Sequence, residues 1–130
     1  MADLTAIMAA SASGMAAQAT RLRLVSENMA NADTPGFRRK MVSFEAINTM
    51  MGEAQGVKAG NMQLSQTQLN RVYDPGHPMA DSNGYYDGSN IDILIEIADA
   101  REAQRSYEAN LRMFDQARQM ASSTLELLRR

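Results

Sequence analysis

A chain of 130 residues with a net charge of −2 has room for one domain and lacks the basic excess that would hold nucleic acid. It contains no cysteine, which excludes disulfides, thiol catalysis and thiolate metal sites. Aromatic residues make up 5% and Trp is absent, so a core is thin or is made by stacking long helices, with eleven Met residues as adaptable filler.

Residues 3–33 read as a helix. Met1, Met8, Met15, Leu22 and Met29 recur every seven residues, with Leu4 and Val25 on the same side and Ala12 and Ala19 beside it. A seven-residue apolar repeat marks a coiled-coil-like seam. Gly14 weakens the helix by about 1 kcal/mol relative to Ala, so the helix is expected to rely on a partner. Pro35 disfavours helical geometry at Thr34, and Pro35-Gly36 suits the centre of a type II turn, so the helix stops there. Asp3, Arg21, Arg23 and Glu27 give the polar face too few cations for a membrane-surface helix, which favours a protein-facing seam. Asp3 also stands where a secretory signal would carry positive charge, and the first basic residue is Arg21, so no such signal is expected.

The middle of the chain is rich in Gly, Asn, Gln and Ser. Arg38-Arg39-Lys40 reads as a solvated strand edge or a salt-bridging surface. Val57 to Leu64 and Leu69 to Tyr73 are candidate short strands. Asp74-Pro75-Gly76-His77-Pro78 must turn, because two prolines bracket a Gly; Asn83-Gly84 is a second turn, and Tyr85-Tyr86 after it a third candidate strand. His77, the sole histidine, has no nucleophile motif to serve and reads as a turn residue. Asp81 to Gly84 followed by Asp87 to Asn90 has some likeness to a calcium loop, but Asn90 stands where the loop needs a Glu, so a turn-rich loop is favoured. No catalytic, cofactor-binding or metal-binding set emerges.

Residues 91–129 read as a second, longer helix, which Asn90 or Ser89 can cap. Its apolar opening, Ile91 to Ile97, carries Asp92 and Glu96 and is too short to span a membrane. Ile93, Ala100, Tyr107, Phe114, Ala121 and Leu128 form one seven-residue series, joined on the same face by Ile97, Leu111 and Leu125. Ala103, Asn110, Ala117 and Thr124 form a second series of small residues, suited to close helix approach. Glu108 with Arg112 and Glu126 with Arg130 are favourable i,i+4 pairs. The expected fold is mainly α: N- and C-terminal heptad helices paired as a coiled-coil-like layer, with an irregular middle that has room for a small β-hairpin. The divisions are 1–35, 36–90 and 91–130, the first and last forming one structural unit. Met8, Met15, Leu22, Val25 and Met29 with Ile93, Ile97, Tyr107, Leu111, Phe114, Leu125 and Leu128 are the expected assembly seam.

Two strings carry a family resemblance. Asn28-Met29-Ala30-Asn31, then Thr34-Pro35-Gly36-Phe37, resembles the Asn-x-Ala-Asn-x-x-Thr-Pro-Gly-Tyr signature of the bacterial flagellar rod and hook axial proteins. Tyr73-Asp74-Pro75-Gly76-His77-Pro78, then Asn90, then Tyr107-Glu108-Ala109-Asn110 is similar to the proximal-rod branch of that superfamily. Asp87-Gly88-Ser89 departs from the branch, which commonly has a Pro before the Asn. The resemblance implies a structural subunit of the flagellar basal-body rod, the shaft that carries torque. Its partners would be itself, other rod proteins and the flagellar type III export apparatus, which would pass it without cleaving a signal peptide. It implies no cofactor, nucleic acid, membrane insertion or small-molecule substrate. Two alternatives stay open at this point: another rod or hook protein of the superfamily, and a cytoplasmic coiled-coil adaptor or secretion chaperone.

Overall fold

The computed structural model describes residues 2–129. Met1 of the first heptad series and Arg130 of the Glu126 pair lie outside the described residues. Helix α1 spans Ala2–Ala30 and helix α2 spans Ile93–Arg129. Between them run six short strands: β1 (Lys40–Met41), β2 (Phe44–Asn48), β3 (Ala54–Ala59), β4 (Gln63–Leu64), β5 (Arg71–Tyr73) and β6 (Tyr85–Asp87). The helices are antiparallel. Asn28 lies beside Glu96, Gly14 lies against Asn110, and Leu4 and Ile7 share a groove with Met113 and Met120.

Both helix ends have local causes. At the end of α1 the Asn31 side-chain amide donates to the Glu27 carbonyl at 2.8 Å, beside the Asn31 N–H that donates to the same oxygen at 3.1 Å, so Asn31 closes the last turn through both groups. Helix α1 therefore ends at Ala30, three residues before the expected limit, and Asn31 to Asp33 are turn. Helix α2 is capped by Asp92, whose Oδ1 accepts the Leu94 N–H at 3.0 Å, and not by Asn90 or Ser89 as expected. Those two side chains are committed elsewhere: Asn90 to the Arg39 N–H and Ser89 to the Ala32 carbonyl. The i,i+4 pair that closes is Arg23–Glu27 at 3.0 Å, and Asp115–Arg118 closes at i,i+3; among the described residues Glu108–Arg112 forms no ion pair.

The faces that meet are not the large apolar stripes. Ser11, Gly14, Ala17, Leu24, Val25 and Asn28 are buried on α1, and Glu96, Ala103 and Ala117 on α2. The small-residue series thus faces the partner helix of its own chain. A Cβ added at Gly14 would sit 2.8 Å from the Asn110 side-chain nitrogen, so the backbones approach too closely here for large side chains. Of the expected seam, Val25 is buried, and Met8, Met15, Leu22, Ile97 and Phe114 are half-buried. Met29, Ile93, Tyr107, Leu111, Leu125 and Leu128 stay exposed, Leu111 at 42% and Leu128 at 75%.

The middle forms three separate antiparallel ribbons, β1–β4, β2–β3 and β5–β6. The longest is the β2–β3 hairpin, which pairs Phe44 with Ala59 and Ile47 with Gly56. Its turn is closed by the Thr49 N–H donating to the Glu53 carbonyl at 2.8 Å and by Gly52 at φ +83°. The expected strand over Val57–Leu64 is split: its first part completes the hairpin and its last two residues pair with β1, because the chain leaves the ribbon at Gly60-Asn61. Tyr73 in β5 pairs with Tyr85 in β6, so the two other expected strands form one ribbon across the Asp74–Gly84 turns.

Candidate assembly interface

Where α1 ends and α2 begins, the Asn28 motif folds back on the chain that follows it. The Asn28 amide accepts the Lys40 N–H at 2.9 Å and donates to the Lys40 carbonyl at 3.0 Å, pairing with that backbone as a strand residue would. Its nitrogen also lies 3.3 Å from the carboxylate of Glu96, which is 0% exposed. The Arg39 Nε reaches the other Glu96 oxygen at 2.5 Å, and its second nitrogen reaches Asp99. Arg21 joins Asp99 at 3.4 Å. A buried carboxylate is tolerated only when paired and hydrogen-bonded, and Glu96 has both kinds of partner. These groups line a cleft of about 280 Å³, and their charges are spent on one another.

The rest of the motif shapes the exit. The Thr34 hydroxyl donates to Asn31 Oδ1 at 3.0 Å, and the Phe37 N–H to the Thr34 carbonyl at 3.2 Å. With Gly36 at φ +75°, this is the type II turn that Pro35-Gly36 calls for. The Gly36 N–H then meets the carbonyls of Asp87 and Gly88. Asn90 Oδ1 accepts the Arg39 N–H at 2.6 Å, and its amide donates to the carbonyls of Ser65 and Thr67. Arg38 reaches the same two carbonyls at 3.1 and 3.2 Å. The basic triplet is therefore structural cement. Lys40 pairs with Glu27 at 2.9 Å, and this hydrogen bond is the main reason the Glu27 carboxyl is held below its ordinary value.

The Tyr73–Pro78 string hangs beside this junction. The His77 N–H donates to the Asp74 carbonyl at 3.0 Å, its ring stacks on Tyr86 at 4.0 Å, and its Nδ1 accepts the Met79 N–H at 3.1 Å. Asp81 accepts the N–H groups of Asn83 at 2.9 Å and Tyr85 at 3.0 Å on one oxygen and pairs with Arg71 at 2.7 Å on the other. The Tyr85 N–H leads in lowering its pKa. Its oxygens are thus engaged, and among the described residues no His, Cys, Asp or Glu group is placed to hold a metal. Pro75, Gly76 and Pro78 are exposed in turns, and Ala30 and Ala109 are exposed on the helices.

The structure brings Asn28, Asn31, Thr34, Gly36, Phe37 and Asn90 into one polar junction. It places Tyr107, Ala109 and Asn110 about halfway along α2, where Asn110 faces Gly14. The sequence pattern alone does not reveal the roles of Glu96, Asp99 and Arg21 in that junction. One signal does point to Glu96: it stands seven residues before Ala103, so the small-residue series extended backwards lands on it.

Residues 8–38 match the family model described as "Flagella basal body rod protein", and residues 82–127 match "Flagellar basal body rod FlgEFG protein C-terminal". The chain is 43% identical over 136 residues to the flagellar basal-body rod protein FlgC of Agrobacterium fabrum, covering 99% of this chain and 98% of that protein. It is 37% identical over 122 residues to the FlgC of Salmonella typhimurium, covering 88% and 90%. With the FlgC of Bacillus subtilis the identity is 35% over 139 residues, covering 90% and 93%. The two matched segments hold most of both helices and the Asn28–Phe37 motif, and with relatives this similar over nearly their whole length the chain belongs to the FlgC family of flagellar basal-body rod proteins.

Proposed function

We propose that this chain carries load in the flagellar basal-body rod by closing its own helix pair with small and polar residues and lending its large apolar residues to its neighbours. As a member of the FlgC family it is a structural subunit of that rod, assembling with other rod components. The observation that carries the load-bearing reading is the inversion of the two stripes: Ala103 and Ala117 face α1, while Leu111, Leu125 and Leu128 are exposed. An exposed apolar row of this extent marks a surface that other proteins cover. Many such contacts, each modest, transmit torque along a shaft of the proximal rod, and surfaces that meet unlike surfaces build open helical assemblies.

The remaining parts of the reading follow from chemistry. Nothing in the charged cleft is free to act as nucleophile, base or metal ligand, which supports a protein without catalysis or small-molecule substrate. Among the described residues no helix is long and apolar enough to cross a membrane. The chain reaches the periplasm-spanning rod through the flagellar type III export apparatus, with its N-terminal helix uncleaved. The net charge of −2 supports a protein with no nucleic-acid partner.

Leu111→Asp tests the load-bearing reading. The variant is expected to keep its helical circular-dichroism signal and to be missing from purified basal bodies, with loss of swimming. Phe114→Asp, on a half-buried position, is expected to do the same with some loss of helix. Normal incorporation of both variants would sink it.

A further inference from the structure

With Asn28 level with Glu96 and Gly14 level with Asn110, the antiparallel register brings Ala2 level with Ser122. Helix α2 therefore runs on past the start of α1 through Ser123 to Arg129, roughly 10 Å of helix that α1, among the described residues, does not flank. On this overhang Leu125, Leu127 and Leu128 are 52%, 70% and 75% exposed. Arg129 has no ion-pair partner among the described residues, and Arg130 follows it in the sequence.

At the same end of the molecule a groove of about 700 Å³ opens between α1 and the β2–β3 hairpin. The hairpin is pinned to the helix at Ser13, whose hydroxyl accepts the Val57 N–H at 3.1 Å, with Gly56 packed against the same side chain. Between that pin and the turn at Thr49–Glu53 the two elements part. Ile7 and Ala10 form one wall, and Ile47 and Gln55 the other. Glu53 is the one charged residue of the lining, and it makes no ion pair among the described residues.

We infer that the overhanging end of α2 seats in the α1–hairpin groove of a second copy of this chain. The fit is one of kind and of charge: leucines against an apolar wall, and an unpaired arginine against an unpaired glutamate. The overhang cannot serve its own chain's groove, because α2 is continuous to Arg129 and would have to unwind to turn back over α1. Each copy then offers one tail and one groove, a heterologous contact that repeats from copy to copy. The contact rests on the rod-subunit reading for the expectation that copies lie side by side.

The absence of cysteine makes the test clean. Purified full-length Ile47→Cys and Leu128→Cys chains are mixed and oxidised, with Asp33→Cys replacing Leu128→Cys as the control from the opposite end. The expected result is at least tenfold more disulfide-linked dimer in the first mixture than in the control, and equal yields overturn the contact. Glu53→Arg on the groove chain is expected to lower the yield severalfold, and Arg129→Glu on the tail chain to restore it. Failure of the restoration also overturns it. In basal bodies from cells making the double variant Ile47→Cys/Leu128→Cys, links between copies support the contact. Links to a different protein, or incorporated chain without links, overturn it and leave the rod reading standing. Basal bodies that lack the wild-type chain overturn both.

Discussion

At the end where Asn28 meets Glu96, side-chain amides, guanidinium groups and carboxylates interlock across α1, β1 and α2. At the end where Leu4 meets Met120 and α2 runs on alone, Ile7, Met113, Met120, Leu125, Leu127 and Leu128 are exposed, and Arg129 has no ion-pair partner among the described residues. The buried polar groups of the first end find their partners within the chain, although Met29, Ile93 and Leu94 stay exposed there. The second is unfinished. One subunit can thus hold its helices in a single register while leaving the other pole adaptable, and the difference lies in where polar partners are supplied rather than in helix propensity.

That contrast can be broken at the closed end first. Glu96→Ala removes the buried carboxylate and leaves Arg39 and Asn28 short of a partner; it is expected to destabilise the fold by about 3 kcal/mol, read as a lower urea midpoint. Gly14→Val puts branched carbons where Asn110 sits and is expected to cost about 2 kcal/mol by overpacking. Adding Asn110→Ala should return part of it, and a double-mutant cycle gives the coupling. Asp92→Ala deletes the cap of α2 and is expected to cost about 1 kcal/mol by the same measurement. Leu128→Ala, on the open end, should stay within about 0.5 kcal/mol of the parent in stability, which sharpens the comparison from the other side.

The smallest effect is that of acid. Glu27 and Asp81 both have lowered pKa values in the fold, Glu27 from 4.5 mainly through its hydrogen bond to Lys40, Asp81 from 3.8 mainly through the Tyr85 N–H. A lowered carboxyl pKa contributes stability that is fully present above the unfolded value and fades as pH drops through the folded one. Unfolding midpoints are therefore expected to be flat near neutrality and to fall modestly below about pH 4.5, and Glu27→Gln should flatten part of that fall.

Much of the fold is legible in the amino-acid pattern. The heptad series locates both helices to within three residues, since a long amphipathic pattern between clear stop signals leaves little choice. The motif strings mark the junction. What the pattern does not carry is which stripe turns inward. Apolar periodicity says that Leu111 and Leu128 want cover, not whose, and the inner face is set by Gly14 making room for Asn110. The Glu96–Arg39 pair joins residues 57 apart, a distance over which no local pattern operates. Of the β2–β3 hairpin only β2 escapes a sequence reading: Phe44–Asn48 is exposed along its whole length, so no buried face imposes the apolar alternation that reveals a strand.

The antiparallel pairing has a practical corollary. The first turn of α1 and the last turn of α2 emerge at one pole, the pole that also holds the groove. A fluorescent or affinity tag fused at either extremity would crowd the same few square nanometres of working surface. The reverse turns between Asp74 and Gly84 belong to a ribbon whose base is bonded to the other, closed end, make their bonds locally, and are the better place to splice a label.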